Sequence, residues 1–150
     1  MTDLQPVSFI VPGEPQGKGR PRVRVLPAGP GKKPIPMLYT PPETVAYEAS
    51  IALAAKDLMQ GRALIEGPVM IELRIVQSIP QSKSKKWKAQ ALAGEIPCTK
   101  KPDADNVLKA VCDALNGVVF KDDVQVTDGS FRRRWGAIPG VHVRIVPLCL

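Results

Sequence analysis

Histidine is almost absent from this chain: there is one, His142, in 150 residues. Cysteine is scarcely commoner, at Cys98, Cys112 and Cys149, and no two of them form a Cys-x-x-Cys pair. A structural zinc site needs several closely spaced nitrogen or sulfur ligands, so none is expected. An odd number of widely spaced thiols argues against a disulfide framework and fits a reducing, cytoplasmic compartment. No apolar run approaches the ~20 residues that cross a bilayer, so no membrane partner is expected. The opening MTDLQPVSFIVPGEP lacks the basic start, long apolar stretch and cleavage site of a signal peptide. Gly17-Lys18-Gly19 is not a P-loop, because no Gly-Lys-Ser/Thr follows a strand at the required spacing. Nothing implies an organic cofactor.

Acids are the other shortage. Fourteen Asp and Glu stand against 21 Lys and Arg, giving a net charge of +7 and a sequence pI near 9.5. An anionic partner follows, with nucleic acid as the first candidate. The hydrophobic content of 44% is that of an ordinary soluble protein. The length suits one domain, 1–150, and neither a repeat nor a domain boundary interrupts it.

What is present is unevenly distributed. Residues 12–42 hold nine of the 16 prolines, and six basic residues (Lys18, Arg20, Arg22, Arg24, Lys32, Lys33) against Glu14 alone. Pro and Gly at this density exclude a long helix or a central strand, so the stretch reads as a long basic loop or arm. Before it, QPVSFIV reads as a strand with Val7, Phe9 and Val11 on one face. After it, a helix opens at Pro42 or Thr44 and closes at Gly61, with Tyr47, Ile51, Ala54 and Leu58 at helical spacing. Val69, Ile71, Leu73 and Ile75 alternate as a strand with one buried face. A short basic helix or turn surrounds Trp87, either a solvated face with an anchoring Trp or a track for a phosphate backbone that includes Lys85 and Lys86. A helix follows within 101–117, with Asp105 or Asn106 able to cap it and Leu108, Val111, Cys112 and Leu115 inward. VQVTDGSFRRRW and GVHVRIVPLCL read as two final strands. This order predicts an α+β fold with helices packed against a small mixed β-sheet. Arg132, Arg133 and Arg134 alternate faces on their strand, so Arg132 and Arg134 are the pair that can share one DNA strand.

Six of the fourteen acids, all Asp, fall between 103 and 128. Individually they have ordinary uses. Asp103 or Asp105 suits a helix cap, Asp105, Lys109 and Asp113 suit an i, i+4, i+8 ladder, and Asp122-Asp123 suits a turn. Together they suggest more. If Pro102–Asp105 is extended, Asp103 and Asp105 point the same way, and a helix folding back would return Asp122 and Asp123 to them. Converging carboxylates repel one another unless a cation joins them. With no His or Cys among the ligands, that cation is Mg²⁺ or Mn²⁺. A carboxylate-held divalent ion in a basic protein suits phosphodiester cleavage, since it activates water and neutralises phosphate charge.

The string Lys101-Pro102-Asp103-Ala104-Asp105-Asn106, then Lys109, Asp113-Ala114-Leu115-Asn116-Gly117 and Asp122-Asp123-Val124-Gln125-Val126, resembles the RusA family of Holliday-junction resolvases. Pro12-Gly13-x-Pro15 and Lys18-x-Arg20-Pro21-Arg22 resemble its phage and prophage members. The likeness spans about residues 7 to 146. It implies a homodimeric, Mg²⁺-dependent endonuclease that nicks four-way DNA junctions symmetrically during recombination and repair, with Mn²⁺ as a substitute ion. Asp103, Asp105 and Asp123 become metal-binding catalytic carboxylates, with Asp122 a further candidate ligand and Lys109 the essential lysine. Some members carry Arg immediately before the first Asp, whereas here Pro102 stands there and Lys100 and Lys101 precede it. The expected DNA contacts are Lys18, Arg20, Arg22, Lys85, Lys86, Lys100, Lys101, Arg132 and Arg134. A dimer interface is sought in 125–135, 140–148 or the apolar side of the helix at 44–60. A non-catalytic junction-binding protein and a broader flap or fork nuclease are the alternatives.

Overall fold

The computed structural model describes residues 4–149. Its elements, in chain order, are β1 (Val7–Pro12), β2 (Arg22–Leu26), β3 (Ile35–Tyr39), α1 (Pro42–Leu58), β4 (Val69–Ser78), α2 (Lys85–Leu92), α3 (Ala104–Leu115), a 3₁₀ turn (Asp123–Gln125), β5 (Val126–Gly136) and β6 (Gly140–Pro147). Four strands form a mixed sheet in the order β1-β6-β4-β5, with β4 and β5 parallel and the other neighbours antiparallel. The fold is α+β, as the order of elements predicts.

Alternation builds the sheet. Val7, Phe9 and Val11 on β1, Val69 to Ile75 at every second position on β4, and Val141, Val143 and Ile145 on β6 face inward. Tyr47, Ile51 and Ala55 of α1, and Val107, Val111 and Leu115 of α3, close over them as one core. Helical spacing assigns Ala54 and Leu58 to the inner stripe of α1. The observed stripe is Thr44, Tyr47, Ile51 and Ala55, while Leu58 is 50% exposed. On α3, Leu108 is only partly buried, and Val107, Ala110 and Ala114 join the inner face. Among the described residues no helix is long and apolar enough to cross a membrane.

The basic arm is more ordered than its proline content suggests. Arg22–Leu26 pairs antiparallel with Ile35–Tyr39 as a two-stranded ribbon separate from the main sheet. Pro36 is tolerated because it lies at a sheet edge. Every residue of the ribbon is exposed, including Val23, Val25, Ile35, Met37 and Leu38.

Candidate active site

The acidic segment is built by α3 and the turns at its ends. Asp103 is the N-cap residue, with extended backbone (φ −69°, ψ 152°), but its side chain accepts no bond from the helix. The ordinary use of an acid at a helix start is therefore not taken up, and the carboxylate stands exposed beside Asp105 of the first turn. The Lys101–Pro102 peptide that leads into it is cis.

The backbone just before Asp103 is held from behind. Gln77 is 2% exposed at an inward position of β4. Its amide donates to the carbonyl of Lys101 at 2.9 Å, and its oxygen accepts from the Cys98 thiol at 3.0 Å and from Arg133 at 3.2 Å. Arg133 also donates to the carbonyls of Lys100 and of Pro102, the latter at 2.9 Å. Three consecutive carbonyls ahead of Asp103 thus have fixed partners. Sequence reasoning passed over Gln77 and left Arg133 without a role. The signal was there: Gln77 continues the inward phase of Val69, Ile71, Leu73 and Ile75.

The arm covers the start of α3. Lys18 N–H donates to the carbonyl of Asn106 at 3.0 Å, and Gly19 N–H donates to the Thr44 hydroxyl at 3.2 Å. A Cβ at Gly17 would lie 2.8 Å from Cβ of Asn106 and 3.2 Å from Cβ of Pro102. Arm and helix therefore meet at a distance that only glycine allows. Together they form a cleft of about 680 Å³ lined by Gln16, Gly17, Arg20, Lys101, Asp103 and Asn106, with Pro102 between. Arg20 and Lys101 thus line the same cleft as Asp103.

Two expected DNA contacts are otherwise engaged. Lys18 is bound to Glu48 at 2.5 Å and Asp113 at 3.1 Å. Burial opposes its charge, but the hydrogen bonds to these carboxylates outweigh that and hold its pKa above the ordinary value. Arg22 pairs with Glu43 at 2.5 Å. Asp113 therefore bonds to the arm instead of completing a ladder, and Lys109 stands exposed between Asp105 and Asp113 with no ion pair among the described residues. Lys85, Lys86, Lys100 and Lys101 are exposed, as are Arg132 and Arg134. Trp87 packs edge-on against Trp135, with centroids 5.5 Å apart, and Lys83 lies over its ring. It anchors α2 to β5 instead of offering a free face.

At the other end of α3, Asn116 and Gly117 turn the chain; Gly117 has φ +76° and donates to the carbonyl of Phe120 at 2.8 Å. Asp122 caps the 3₁₀ turn, accepting from Val124 N–H at 3.1 Å, while Gln125 reaches back to Asp122 N–H and fastens the turn to the carbonyls of Ile65 and Gly67, both at 2.8 Å. Asp123 lies near Asn116 and Asp113. Partial burial, the hydrogen bond and charge of Asp122 and the charge of Asp113 push its carboxyl above the ordinary range, and only Asn116 opposes them. Cys112 behind it is pushed to about 11 by burial and by the charges of Asp123 and Asp113.

The convergence expected from sequence does not occur within one chain. Asp105 and Asp113 are eight residues apart on α3, about 12 Å along its axis, and Asp123 belongs with Asp113. Among the described residues no three His, Cys, Asp or Glu side chains are grouped to hold a metal ion. One chain therefore divides its acids between the ends of α3, with Asp103 and Asp105 at the start and Asp113, Asp122 and Asp123 toward the other end.

Residues 12–146 match the family described as Endodeoxyribonuclease RusA. The class of the protein is thus that of the DNA-cleaving endodeoxyribonucleases. The chain belongs to the RusA family. It is also 35% identical, over 141 residues covering 93% of this chain and 94% of the other, to a Bacillus subtilis (strain 168) protein described as "Uncharacterized protein YqaN".

Proposed function

We propose that the chain is a Mg²⁺-dependent endonuclease that resolves four-way DNA junctions by paired, symmetric nicks, acting as a homodimer whose two metal sites are each shared between copies. The observation that carries this reading is the division of the acids between the two ends of α3. A twofold axis crossing α3 near Lys109 would set Asp103 and Asp105 of one copy beside Asp123 of the other, twice per dimer. Three carboxylates then meet in an all-oxygen set of the kind that suits Mg²⁺, with Mn²⁺ as a substitute. The ion would supply charge neutralisation at the scissile phosphate and acidify water.

The chain's own groups do the rest. Arg20 and Lys101 hold the phosphate in the cleft beside Asp103, as paired cations hold a transferring phosphoryl group. Lys109, with no ion pair among the described residues, lies between the two acidic ends, positioned to stabilise charge that develops during cleavage. Asp122 caps its turn and orients Asp123. The exposed apolar ribbon of β2 and β3 is a better interface than β6, which is interior to its sheet, and the outer side of α1 adds Val45, Leu53 and Leu58.

The test is cleavage of a synthetic four-way junction, with linear duplex as control, with and without Mg²⁺. Metal-dependent nicks at symmetry-related positions on the junction support the reading. Binding without nicking leaves only an architectural DNA protein. Equal cutting of flaps and forks makes the chain a broader nuclease.

A further inference from the structure

The face of the main sheet away from α1 and α3 carries an arginine group that the acidic cleft does not use. Arg74 on β4 stands directly beside Arg132 on β5. Neighbouring parallel strands run about 4.8 Å apart, so the two guanidinium stems leave the sheet side by side. Arg134 follows two residues on, on the same face. His142 is the partner of Arg74 on its other side. Like charges placed opposite one another weaken a sheet, and among the described residues no carboxylate forms an ion pair with Arg74 or Arg132, although Asp57 and Glu72 line a neighbouring cavity with them. The acid nearest in register, Glu72, is bound to Arg144 at 3.1 Å. Arg134 donates to the carbonyl of Arg133, at 2.8 Å, and neither Arg74 nor Arg132 has an ion pair among the described residues. The three arginines enclose a pocket of about 380 Å³ together with Leu92, Gly94 and Trp135, at the end of α2.

We infer that this pocket is a second phosphate subsite, one that binds the sugar-phosphate backbone of the DNA substrate apart from the point of cleavage. The chemistry is selective: three guanidinium groups with no acid among them match the oxygens of a phosphodiester. The position is informative too. Arg133, between Arg132 and Arg134, points to the opposite face and holds the loop that carries Asp103. The edge strand β5 therefore presents a cleavage loop on one side and an anion pocket on the other, and a DNA strand passing around that edge meets both. The inference rests on the reading of the chain as a DNA nuclease and extends it to a residue, Arg74, that motif spacing does not reveal.

The experiment measures four-way junction binding by the full chain across a salt series, for the parent, Arg74→Gln, Arg132→Gln and the charge-keeping Arg74→Lys. Each phosphate contact contributes about 0.9 to the slope of log affinity against log salt. Arg74→Gln and Arg132→Gln should each flatten the slope by about 0.9, which at 0.1 M salt is a loss of about eightfold in affinity. Arg74→Lys should keep most of the slope, and a melting curve on each variant reports folding separately. Parent-like affinity and slope in both Gln variants would overturn the subsite and leave the nuclease reading standing. A loss confined to Arg132→Gln would overturn it as well, by making Arg132 a lone surface contact. A parent chain that binds no DNA would remove the functional reading and the subsite together.

Discussion

Arg133 of β5 donates to the carbonyl oxygen of Pro102 at 2.9 Å, one residue ahead of Asp103. Through this bond, and that from Gln77 to Lys101, the core of the sheet sets the position of a surface carboxylate. Gln77→Leu keeps the bulk but leaves the Lys101 carbonyl, the Cys98 thiol and Arg133 short of a partner. It should destabilise the fold by about 1–3 kcal/mol. Nicking should fall about ten- to a hundredfold, because small displacements at a reacting centre cost that much. Junction affinity, carried by surface cations, should change little. Urea melts, cleavage rates and binding curves on one preparation separate these effects.

Asp103→Asn, Asp105→Asn and Asp123→Asn should each abolish nicking and leave junction binding intact or tighter, since each removes a negative charge near bound phosphate. Gel-shift and cleavage assays with the same junction check this. Near-parental nicking by Asp105→Asn would remove it from the metal site.

Asp123 carries a pH signature. Its folded carboxyl is raised, first by partial burial and then by Asp122 and Asp113. A raised carboxyl stabilises the fold while protonated, below its unfolded value of about 3.9, and that contribution is lost as pH rises through the folded value. Asp123→Asn should therefore melt above the parent at neutral pH, with the gap closing near pH 3–4. Mg²⁺ should raise the melting temperature of the parent and not of the variant. A variant that melts lower at pH 7 would contradict the crowding of these acids.

Gly17→Ala tests the contact between arm and helix. The added methyl meets Asn106 at 2.8 Å and must displace the arm or α3. A cost of about 1–3 kcal/mol is expected. Junction cleavage should fall further than junction binding, because Arg20 moves away from Asp103. Unchanged nicking would separate the arm from the cleft.

Much of the fold was legible, and the failures have physical causes. The strands at Val7–Pro12 and Val69–Ser78 announced themselves by alternation, and α3 by its apolar stripe. The ribbon at Arg22–Tyr39 was hidden because Pro27, Pro30 and Pro34 fall in the connection between its strands and only Pro36 lies within one, at a sheet edge. Leu58 misled because the inner stripe advances by fours through Tyr47, Ile51 and Ala55 to the buried Met59, which turns Leu58 outward. Lys18 and Arg22 looked like free cations, since Glu48, Asp113 and Glu43 are distant in sequence. The acids themselves were legible, and their spatial division was not: α3 ends at Leu115 and the chain turns at Asn116 and Gly117, which leaves Asp123 at the far end of the helix from Asp103. Arg74 was hidden in an ordinary exposed position, and its meaning comes from the register that sets Arg132 beside it.

The most direct measurement mixes two inactive chains. Asp103→Asn and Asp123→Asn are purified, each shown to bind a four-way junction without nicking it, then co-refolded and assayed with Mg²⁺. If each metal site takes Asp103 and Asp105 from one copy and Asp123 from the other, the mixed dimer carries both lesions in one site and keeps the second intact. The account predicts restored nicking, with one strand cut per junction. If all the carboxylates of a site came from one chain, both sites of the mixed dimer would be dead. A mixture as inert as its components, beside an active parent treated identically, would contradict the shared site.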